Sequence, residues 1–286
     1  MKELQNRILG SLGRIYDATE ASNILRQICL DVLGISQTTF FLKDRVSLNR
    51  EQEIRLEQIL HDLETGRPLQ YAIGSTTFCG LELQVDERVL IPRPETSELV
   101  EWMLQDTTAT SKGAFLDICT GSGCIALAFA SARRAWNVHA LDISHDALEV
   151  AQSNAIANSL NVEFRQQDIL KAFISPTPER AAEKQYDIIV SNPPYVLDRE
   201  KADMTTQVLD FEPHLALFVP DSDPLRFYRA IAEYSLTHLN TGGTLYFEIN
   251  PLFATETRLM LQERGYRDVL IRRDISGNER MIKAIL

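Results

Sequence analysis

The spacing of apolar side chains divides the chain into stretches with different predicted structure. Over residues 1–72, apolar positions recur three and four residues apart, which is the period of a helix with one buried face. One run, between a predicted Ser22 N-cap and a Gly34 C-cap, contains Ile24, Leu25, Ile28, Cys29, Val32 and Leu33. A second run, which ends before Pro68, contains Ile54, Ile59, Leu60 and Leu63. These runs predict a small helical bundle over 1–72.

The period shortens to two in the next stretch. Leu81, Leu83 and Val85 alternate with polar residues, which is the pattern of a strand with one buried face. Glycines on either side of the preceding segment supply turns, so we predict a β-hairpin linker over 73–92. Two prolines then precede an amphipathic helix, with which the last predicted domain, 93–286, begins.

Strands and helices alternate through most of this last domain. Its predicted strands cover 115–119, 138–142, 162–166, 187–191 and 244–249, and the predicted helices include 147–159 and 224–239. Such alternation is typical of a doubly wound, mainly parallel sheet in a Rossmann-like α/β fold. The final residues predict two strands around 274–278, which would add an antiparallel pair, and 175–180 predicts a surface loop.

Composition narrows the class of protein further. The chain has 286 residues, of which 44% are hydrophobic and 24% charged, as in globular domains. No apolar run approaches the roughly 18 residues that a membrane span requires, and the first residues do not resemble a secretory signal. The four cysteines suggest neither a zinc site nor a disulfide framework. We therefore expect a cytoplasmic monomer without a bound metal or membrane contact.

The net charge of −11 argues against a salt-driven grip on nucleic-acid backbone. An uneven charge distribution would still permit a local basic patch. We accordingly expect no direct binding to nucleic acid.

A glycine-containing turn follows the first predicted strand of the sheet. Gly121 and Gly123 flank Ser122, and glycine lets a backbone turn tightly and approach a ligand closely. Asp142 ends the next strand about 20 residues later, where a carboxylate can bind ribose hydroxyls. The pair predicts an adenosine-containing cofactor and leaves NAD and S-adenosylmethionine open. A turn that serves only packing, with Asp142 capping the next helix, is the alternative.

Further cofactor contacts are predicted at the neighbouring positions Cys119, Thr120, Ser122 and Ile143, and at Asn192. Asp168 ends the third strand, where an acid can accept a hydrogen bond from the adenine amine, and Ile169 can pack on the ring. A solvated loop aspartate is the alternative for Asp168.

The sequence Asn192-Pro193-Pro194-Tyr195 follows the fourth strand. In an open sheet of this type, that strand usually lies beside the first, so this motif and the glycine turn should share one crevice. The Asn192 side-chain carbonyl and the Pro193 backbone carbonyl offer two acceptors on a stiff loop, which suits an NH2 group. Tyr195 can stack on a planar amide or base.

These features favour methyl transfer to an amino or amide nitrogen. The motif contains no histidine or lysine that could act as a base, and in-line positioning supplies much of the required catalysis. A nicotinamide dehydrogenase would leave the Asn-Pro-Pro-Tyr motif unexplained. A structural double-proline turn and a catalytically dead binding module are further alternatives, and intact Asn192 and Asp142 count against the latter.

The chain resembles the HemK-type release factor glutamine methyltransferases, enzymes that use S-adenosylmethionine. The motif Asn192–Tyr195 matches the [DNS]-P-P-[YFW] motif of amino-group methyltransferases in general. More specific matches are RPLQYAIGSTTFCGLELQVDERVLIPRPETSELVE, FEPHLALFVPDSDPLRFYRAI, GGTLYFEIN and DISGNERMI. The resemblance covers nearly the whole chain and implies a class I methyltransferase sheet after a helical substrate-binding domain.

The resemblance also implies a substrate and roles for single residues. The substrate would be the glutamine amide of the Gly-Gly-Gln loop in peptide chain release factors 1 and 2, and the cofactor product would be S-adenosylhomocysteine. Asn192 and Pro193 would hold the glutamine NH2, while Pro194 and Tyr195 would wall the pocket. The same motif leaves amino-methylation of DNA adenine or rRNA as the alternative.

The cofactor-binding positions of the family fall on Thr120, Gly121, Gly123 and Asp142. Two positions depart from the family pattern: Cys119 stands at a usual glycine, and Asn250 stands at a residue that is commonly glycine or histidine. We expect neither to abolish function. Arg93 and Glu95 are expected either at the mouth of the crevice or in an ion pair that fixes the linker.

Overall fold

The computed structural model describes residues 1–42, 44–108, 111–171 and 185–286. The described chain forms two compact units. The first consists of Met1–Ser75 together with Thr205–Phe211, and the second of Thr76–Met204 and Glu212–Leu286. The predicted surface loop at 175–180 lies outside the described residues.

Helices occupy both units. They are α1 Lys2–Leu12, α2 Ala18–Gln27, α3 Gln37–Leu42, α4 Arg50–Glu64, α5 Leu69–Ile73, α6 Pro94–Asp106, α7 Cys124–Ala132, α8 His145–Ala157, α9 Thr206–Phe211, α10 His214–Leu217, α11 Arg226–His238 and α12 Ala254–Glu263. A π-helical turn, Ile28–Val32, continues α2, and 3-10 turns cover Asp198–Asp203 and Pro251–Phe253.

The strands lie almost entirely in the second unit. They are β1 Ser75–Phe78, β2 Leu81–Gln84, β3 Ala114–Ile118, β4 Asn137–Asp142, β5 Glu163–Gln166, β6 Tyr186–Ser191, β7 Val196–Leu197, β8 Phe218–Val219, β9 Leu239–Glu248, β10 Arg267–Arg273 and β11 Glu279–Ile285. The strands β1 and β2 pair as the hairpin that the alternating residues predict, and Leu83 and Val85 are buried.

The predicted apolar face of α2 is confirmed, because Ile24, Leu25 and Ile28 are buried. The predicted N-cap is wrong. The helix begins earlier, where the Asp17 carboxylate accepts hydrogen bonds from two free backbone amides of the first turn, at 2.8 and 2.9 Å. Ser22 therefore lies inside the helix.

The second predicted face is wrong at Ile54, whose side chain is 58% exposed, while Leu56 is fully buried. The buried face of α4 runs through Leu56, Ile59, Leu60 and Leu63, which keep spacings of three and four. Ile54 precedes Leu56 by two residues, which is about 200° around a helix, and so it faces the opposite side.

In the described residues, seven strands form one sheet in the order β10-β11-β9-β6-β3-β4-β5. The five strands from β9 to β5 run parallel, and β11 is antiparallel to both β9 and β10. This confirms the mainly parallel sheet with an antiparallel final pair. The strand β6 lies beside β3, as expected for the point at which the strand order reverses, so both strands end at the same edge.

The strand β9 begins at Leu239, five residues before the predicted start. Its pairing with β6 shifts between Tyr186 and Ile188, so the chain passes through Gly242 and Gly243 in an irregular stretch without leaving the sheet. Because two adjacent glycines are typical of a turn, the sequence pattern did not predict the first five residues of this strand.

Apolar side chains cover both faces of the sheet. One buried cluster is built from α6, α7 and the residues Phe115, Val138 and Val190, and the other from α11, α12 and Leu116 and Ile189. Among the described residues, no helix is long and apolar enough to cross a membrane.

Buried Asn154 of α8 connects the β1–β2 hairpin to the turn after β3. Its side chain accepts a hydrogen bond from the Gln84 amide at 2.6 Å and donates to the carbonyls of Gln84 and Ser122, both at 3.0 Å. One fully buried amide thus joins β2, α8 and the turn after β3.

Candidate active site

A cavity opens at the carboxyl ends of β3, β4 and β6. Most of the sequence-predicted site residues line it: Cys119, Thr120, Gly121, Ser122, Asp142, Ile143, Asp168, Ile169, Asn192 and Pro194. Gly123, Pro193 and Tyr195 belong to the same two loops but are not among the lining residues. Residues that we did not predict, including Leu90, Thr96, Gln167 and Phe227, complete the wall.

The two glycines of the turn after β3 have different roles. Both have left-handed backbone angles, with φ +53° at Gly121 and φ +81° at Gly123. A Cβ at Gly121 would meet no protein atom within 4 Å, whereas one at Gly123 would lie 3.2 Å from both Ala151 and Leu127. Gly121 therefore leaves space beside the backbone, and Gly123 permits the turn to pack on α8 and α7.

Cys119 also has a left-handed backbone, with φ +62°. This explains why a glycine is the usual residue at that position, since the conformation costs other residues roughly 1–2 kcal/mol. Burial raises the pKa of the Cys119 thiol well above its ordinary value, with Asp142 as the next cause. The side chain therefore stays an uncharged thiol.

Asp142 holds the ends of two loops together. One carboxylate oxygen accepts a hydrogen bond from the Gly121 amide and the other from the Ser144 amide, both at 2.9 Å. Burial raises the pKa of Asp142, and these backbone hydrogen bonds oppose the rise. A carboxylate has about four acceptor sites, and the backbone amides of Ser144, Gly121 and Ile143 act on it, so some acceptor capacity is left for a ligand.

Asp117, which sequence reasoning missed, supports the glycine turn from inside β3. It has no exposed surface, and its Oδ2 accepts hydrogen bonds from the Thr120 hydroxyl at 2.5 Å and from the Ala126 amide at 3.3 Å. Burial raises its pKa from 3.8 to about 7. The available signal was an acidic residue between the apolar neighbours Leu116 and Ile118.

Asp168 lies at the cavity wall in a local network. Its Oδ1 accepts a hydrogen bond from the Leu170 amide at 3.0 Å, and its Oδ2 lies 3.1 Å from the Lys171 ammonium group. The neighbouring Ile169 is buried and adds an apolar surface to the same wall.

The strand β6 ends at Ser191, whose hydroxyl donates to the Ile118 carbonyl at 2.5 Å. The next residue, Asn192, donates from its side-chain amide to the Thr96 hydroxyl at 3.2 Å. Thr96 donates in turn to Glu248 Oε2 at 2.6 Å, and the Tyr195 hydroxyl donates to Glu248 Oε1 at 3.0 Å. One buried carboxylate thus lies behind both ends of the Asn-Pro-Pro-Tyr motif.

Asn250 fixes the far end of the same loop. Its side-chain amide donates to the Tyr195 carbonyl at 3.1 Å and to Glu200 at 3.0 Å, and Glu200 accepts from the Leu197 amide at 2.8 Å. The departure from glycine or histidine at this position therefore adds two hydrogen bonds that hold the loop.

Arg93 lines the cavity and also forms an ion pair. Its guanidinium lies 2.5 Å from Glu212, whose side chain is 1% exposed and whose other oxygen accepts from the Ile91 amide at 3.3 Å. Arg93 therefore lies at the cavity and forms an ion pair whose partner is Glu212, whereas Glu95 is not among the residues that line the cavity.

A mainly parallel sheet with a glycine turn after β3 and an Asn-Pro-Pro-Tyr loop after the adjacent β6 defines a class I methyltransferase. The family model "Methyltransferase small domain" matches residues 96–211, and the model "PrmC N-terminal domain" matches residues 6–74. The crystal structure of a methyltransferase from Pyrococcus furiosus shares the fold, with a TM-score of 0.51 and 17% identity over 82% of this chain and 98% of that one.

Two curated relatives are similar along nearly their whole length. The release factor glutamine methyltransferase of Bacteroides thetaiotaomicron is 41% identical over 99% of this chain and 99% of the relative. That of Flavobacterium psychrophilum is 38% identical over 99% of this chain and 98% of the relative. The chain belongs to the release factor glutamine methyltransferase family.

Proposed function

We propose that this protein transfers a methyl group from S-adenosylmethionine to the side-chain amide nitrogen, N5, of a glutamine. The substrate is the Gly-Gly-Gln loop of class I peptide chain release factors. The observation that carries the proposal is the Asn192 side chain, which lines the cavity and donates its NH2 to Thr96, so that its carbonyl oxygen points away from Thr96. Family membership supports the same substrate.

The cavity fits the cofactor in three respects. Gly121 leaves open space where any other residue has a Cβ, and the Asp142 carboxylate has acceptor capacity beyond its backbone hydrogen bonds. Ser122 lines the cavity beside these two residues and belongs to the same glycine turn. These residues would hold the cofactor, together with Thr120 and Asp168, and the bound cofactor supplies an electrophilic methyl group on a sulfonium.

The chain's own contribution is to orient the substrate amide. A planar amide nitrogen is a weak nucleophile because its lone pair is delocalised. Asn192 Oδ1 and the Pro193 carbonyl would accept its two hydrogens, which increases electron density on nitrogen and aims the lone pair. The two prolines would stiffen the loop, and the Asn250 side chain hydrogen-bonds to the Tyr195 carbonyl within it and to Glu200. Such a loop would hold both acceptors in place before the substrate binds.

Proton transfer requires no dedicated base in this scheme. The bound cofactor would supply the methyl group for the new carbon–nitrogen bond. One hydrogen of the substrate NH2, held by Asn192 Oδ1 or the Pro193 carbonyl, would leave to water. No histidine or lysine is found among the described residues that line the cavity, which agrees with a reaction driven by positioning.

The proposal is tested by incubating the protein with methyl-labelled S-adenosylmethionine and a purified class I release factor. We expect label on the release factor and none on its Gly-Gly-Gln variant with Gln→Ala. Duplex DNA and rRNA serve as further substrates in parallel. Label on nucleic acid but not on the release factor would overturn the proposal in favour of amino-methylation of bases.

The Asn192→Ala variant tests whether the Asn192 side chain accepts a hydrogen bond from the substrate NH2. Because it removes one of two acceptors for the substrate NH2, kcat should fall by about 100-fold or more, while cofactor affinity by calorimetry should change little. The exposed Asn161 provides the matched control, Asn161→Ala, which should leave turnover unchanged. Normal turnover in Asn192→Ala would refute the assigned role.

A further inference from the structure

The side chains of Thr96 and Glu248 form a buried path of hydrogen bonds that ends at Asn192. Thr96 is 2% exposed and Glu248 1% exposed. The three side chains lie on α6, at the end of β9 and just after β6. The bonds run from the Asn192 amide to the Thr96 hydroxyl at 3.2 Å and from that hydroxyl to Glu248 at 2.6 Å.

The direction of these bonds follows from the number of hydrogens available. A hydroxyl has one hydrogen, and an ionised carboxylate only accepts. Thr96 therefore donates to Glu248 and presents a lone pair to Asn192. The amide of Asn192 must turn its NH2 towards that lone pair, because its carbonyl oxygen would face another acceptor there.

The second oxygen of Glu248 is satisfied as well, since it accepts from the Tyr195 hydroxyl at 3.0 Å. Other titratable groups also act on this carboxylate: Arg280 attracts it, Glu95 repels it, and Tyr228 and Cys124 lie within its electrostatic reach. Burial is the largest effect and raises the pKa of Glu248, while Thr96, Tyr195 and Arg280 oppose the rise.

We propose that Thr96 and Glu248 are positioning residues that select the productive orientation of the Asn192 amide. Through Thr96, the carboxylate of Glu248 determines that Asn192 offers an oxygen, not an NH2, to the substrate. The inference rests on the proposed function, because it assumes an NH2 group as the partner of Asn192.

Protonation of Glu248 has a defined consequence. A protonated Oε2 donates to Thr96, whose own hydrogen is then directed at Asn192. The amide turns over to accept it and presents its NH2 to the cavity. Two NH2 groups then face each other, and the substrate loses one acceptor.

The direct test compares Thr96→Val with Thr96→Ser. Valine keeps the shape but removes the hydroxyl, so kcat for the release factor should fall by about 10-fold or more, with the KM for the release factor and the cofactor Kd within about 3-fold. Serine retains the hydroxyl and should recover most of kcat. The exposed Thr255 supplies the control, Thr255→Val, and thermal melting establishes that each variant is folded.

The pH profile tests Glu248 in a way that a merely structural role would not affect. In the wild type, kcat should fall as the pH is lowered through the Glu248 pKa, which lies above the ordinary 4.5. Glu248→Gln is nearly isosteric and cannot titrate, so its kcat should be lower and should lack this acid limb. This second variant keeps the proposal falsifiable if Thr96→Val does not fold.

The outcomes distinguish this inference from the function on which it rests. If the wild type methylates the release factor but Thr96→Val keeps kcat within about 2-fold, the positioning role is wrong and the proposed function stands. An acid limb that persists in Glu248→Gln has the same meaning. If the wild type does not label the release factor at all, both proposals fall.

Discussion

At the scale of single residues, Asp117 carries an unusual electrostatic cost. Its carboxyl group is fully buried, and burial raises its pKa to about 7, although Thr120 and Ala126 donate hydrogen bonds to it. In the unfolded chain an aspartate has a pKa of about 3.9. Between these two values the folded protein binds the proton and the unfolded chain does not. Proton binding by Asp117 therefore stabilises the folded protein in full below about pH 4, and this stabilisation is lost as the pH rises towards 7.

We predict that Asp117→Asn removes this pH dependence. The free energy of unfolding of the wild type should decrease relative to that of the variant between pH 4.5 and 7.5, by about 3 kcal/mol. Urea unfolding at several pH values measures the difference. The exposed Asp203 supplies the control, Asp203→Asn, which should follow the wild type. Parallel pH curves for wild type and Asp117→Asn would contradict the prediction.

Single residues also show where sequence reasoning reaches its limit. Asn192 was predictable because it follows β6, and Asp142 because it ends β4; the carboxyl ends of both strands had to lie at the ligand-binding edge. Thr96 and Glu248 were not, because their hydrogen bond joins positions 152 residues apart. No local pattern encodes such a pair, and each residue alone resembles an ordinary helix or strand residue.

At the scale of elements, the turn between β3 and α7 needs glycine for two reasons. Gly121 and Gly123 both have left-handed backbone angles, and only Gly123 is also closely packed against neighbouring side chains. In Gly121→Ala the new Cβ contacts no protein atom, so the only cost is the left-handed backbone, and we expect the free energy of unfolding to fall by about 1 kcal/mol. Gly123→Ala adds contacts at 3.2 Å with Ala151 and Leu127, so the loss should be larger by about 1–3 kcal/mol. Chemical denaturation of both variants gives the comparison. Equal losses would show that the packing on α8 and α7 yields without cost.

The alternation of elements was more predictable than their limits. Runs of apolar residues separated by helical periods were sufficient to predict the parallel sheet and the position of β6 beside β3. The start of β9 was not predictable, because Gly242 and Gly243 have the composition of a turn while the sheet holds them in place. The N-cap of α2 was missed for a similar reason, since Ser22 and Asp17 are both good caps and only the packed face decides between them.

At the scale of the whole molecule, the two compact units are not two continuous stretches of sequence. The first unit ends at Ser75 and then takes in Thr205–Phe211 from much further along the chain. Within this unit, the Gln207 side-chain amide donates to the Tyr16 hydroxyl at 3.1 Å. The boundaries 1–72, 73–92 and 93–286 stay predictions, since sequence patterns follow neighbours along the chain and do not reveal such a return.

Because α9 belongs to the first unit, we predict that it unfolds locally together with the other helices of that unit. The helix α9 has six residues, which is too short to be stable by itself, so its backbone protection should depend on the unit that it joins. Leu56→Ala removes a fully buried side chain from the core of the first unit and should cost about 2–5 kcal/mol there. Hydrogen exchange should then accelerate in α9 together with α2 and α4, while β3 and β6 keep their protection.

The matched variant is Ile231→Ala, which opens a comparable cavity in the core of the second unit. It should accelerate hydrogen exchange in the sheet, while α9, α2 and α4 all keep their wild-type protection. Mass spectrometry of peptic fragments resolves these segments in the full-length protein. If α9 instead follows β3 and β6 in both variants, its stability belongs to the second unit, and the return of the chain at 205–211 has no energetic role in the first.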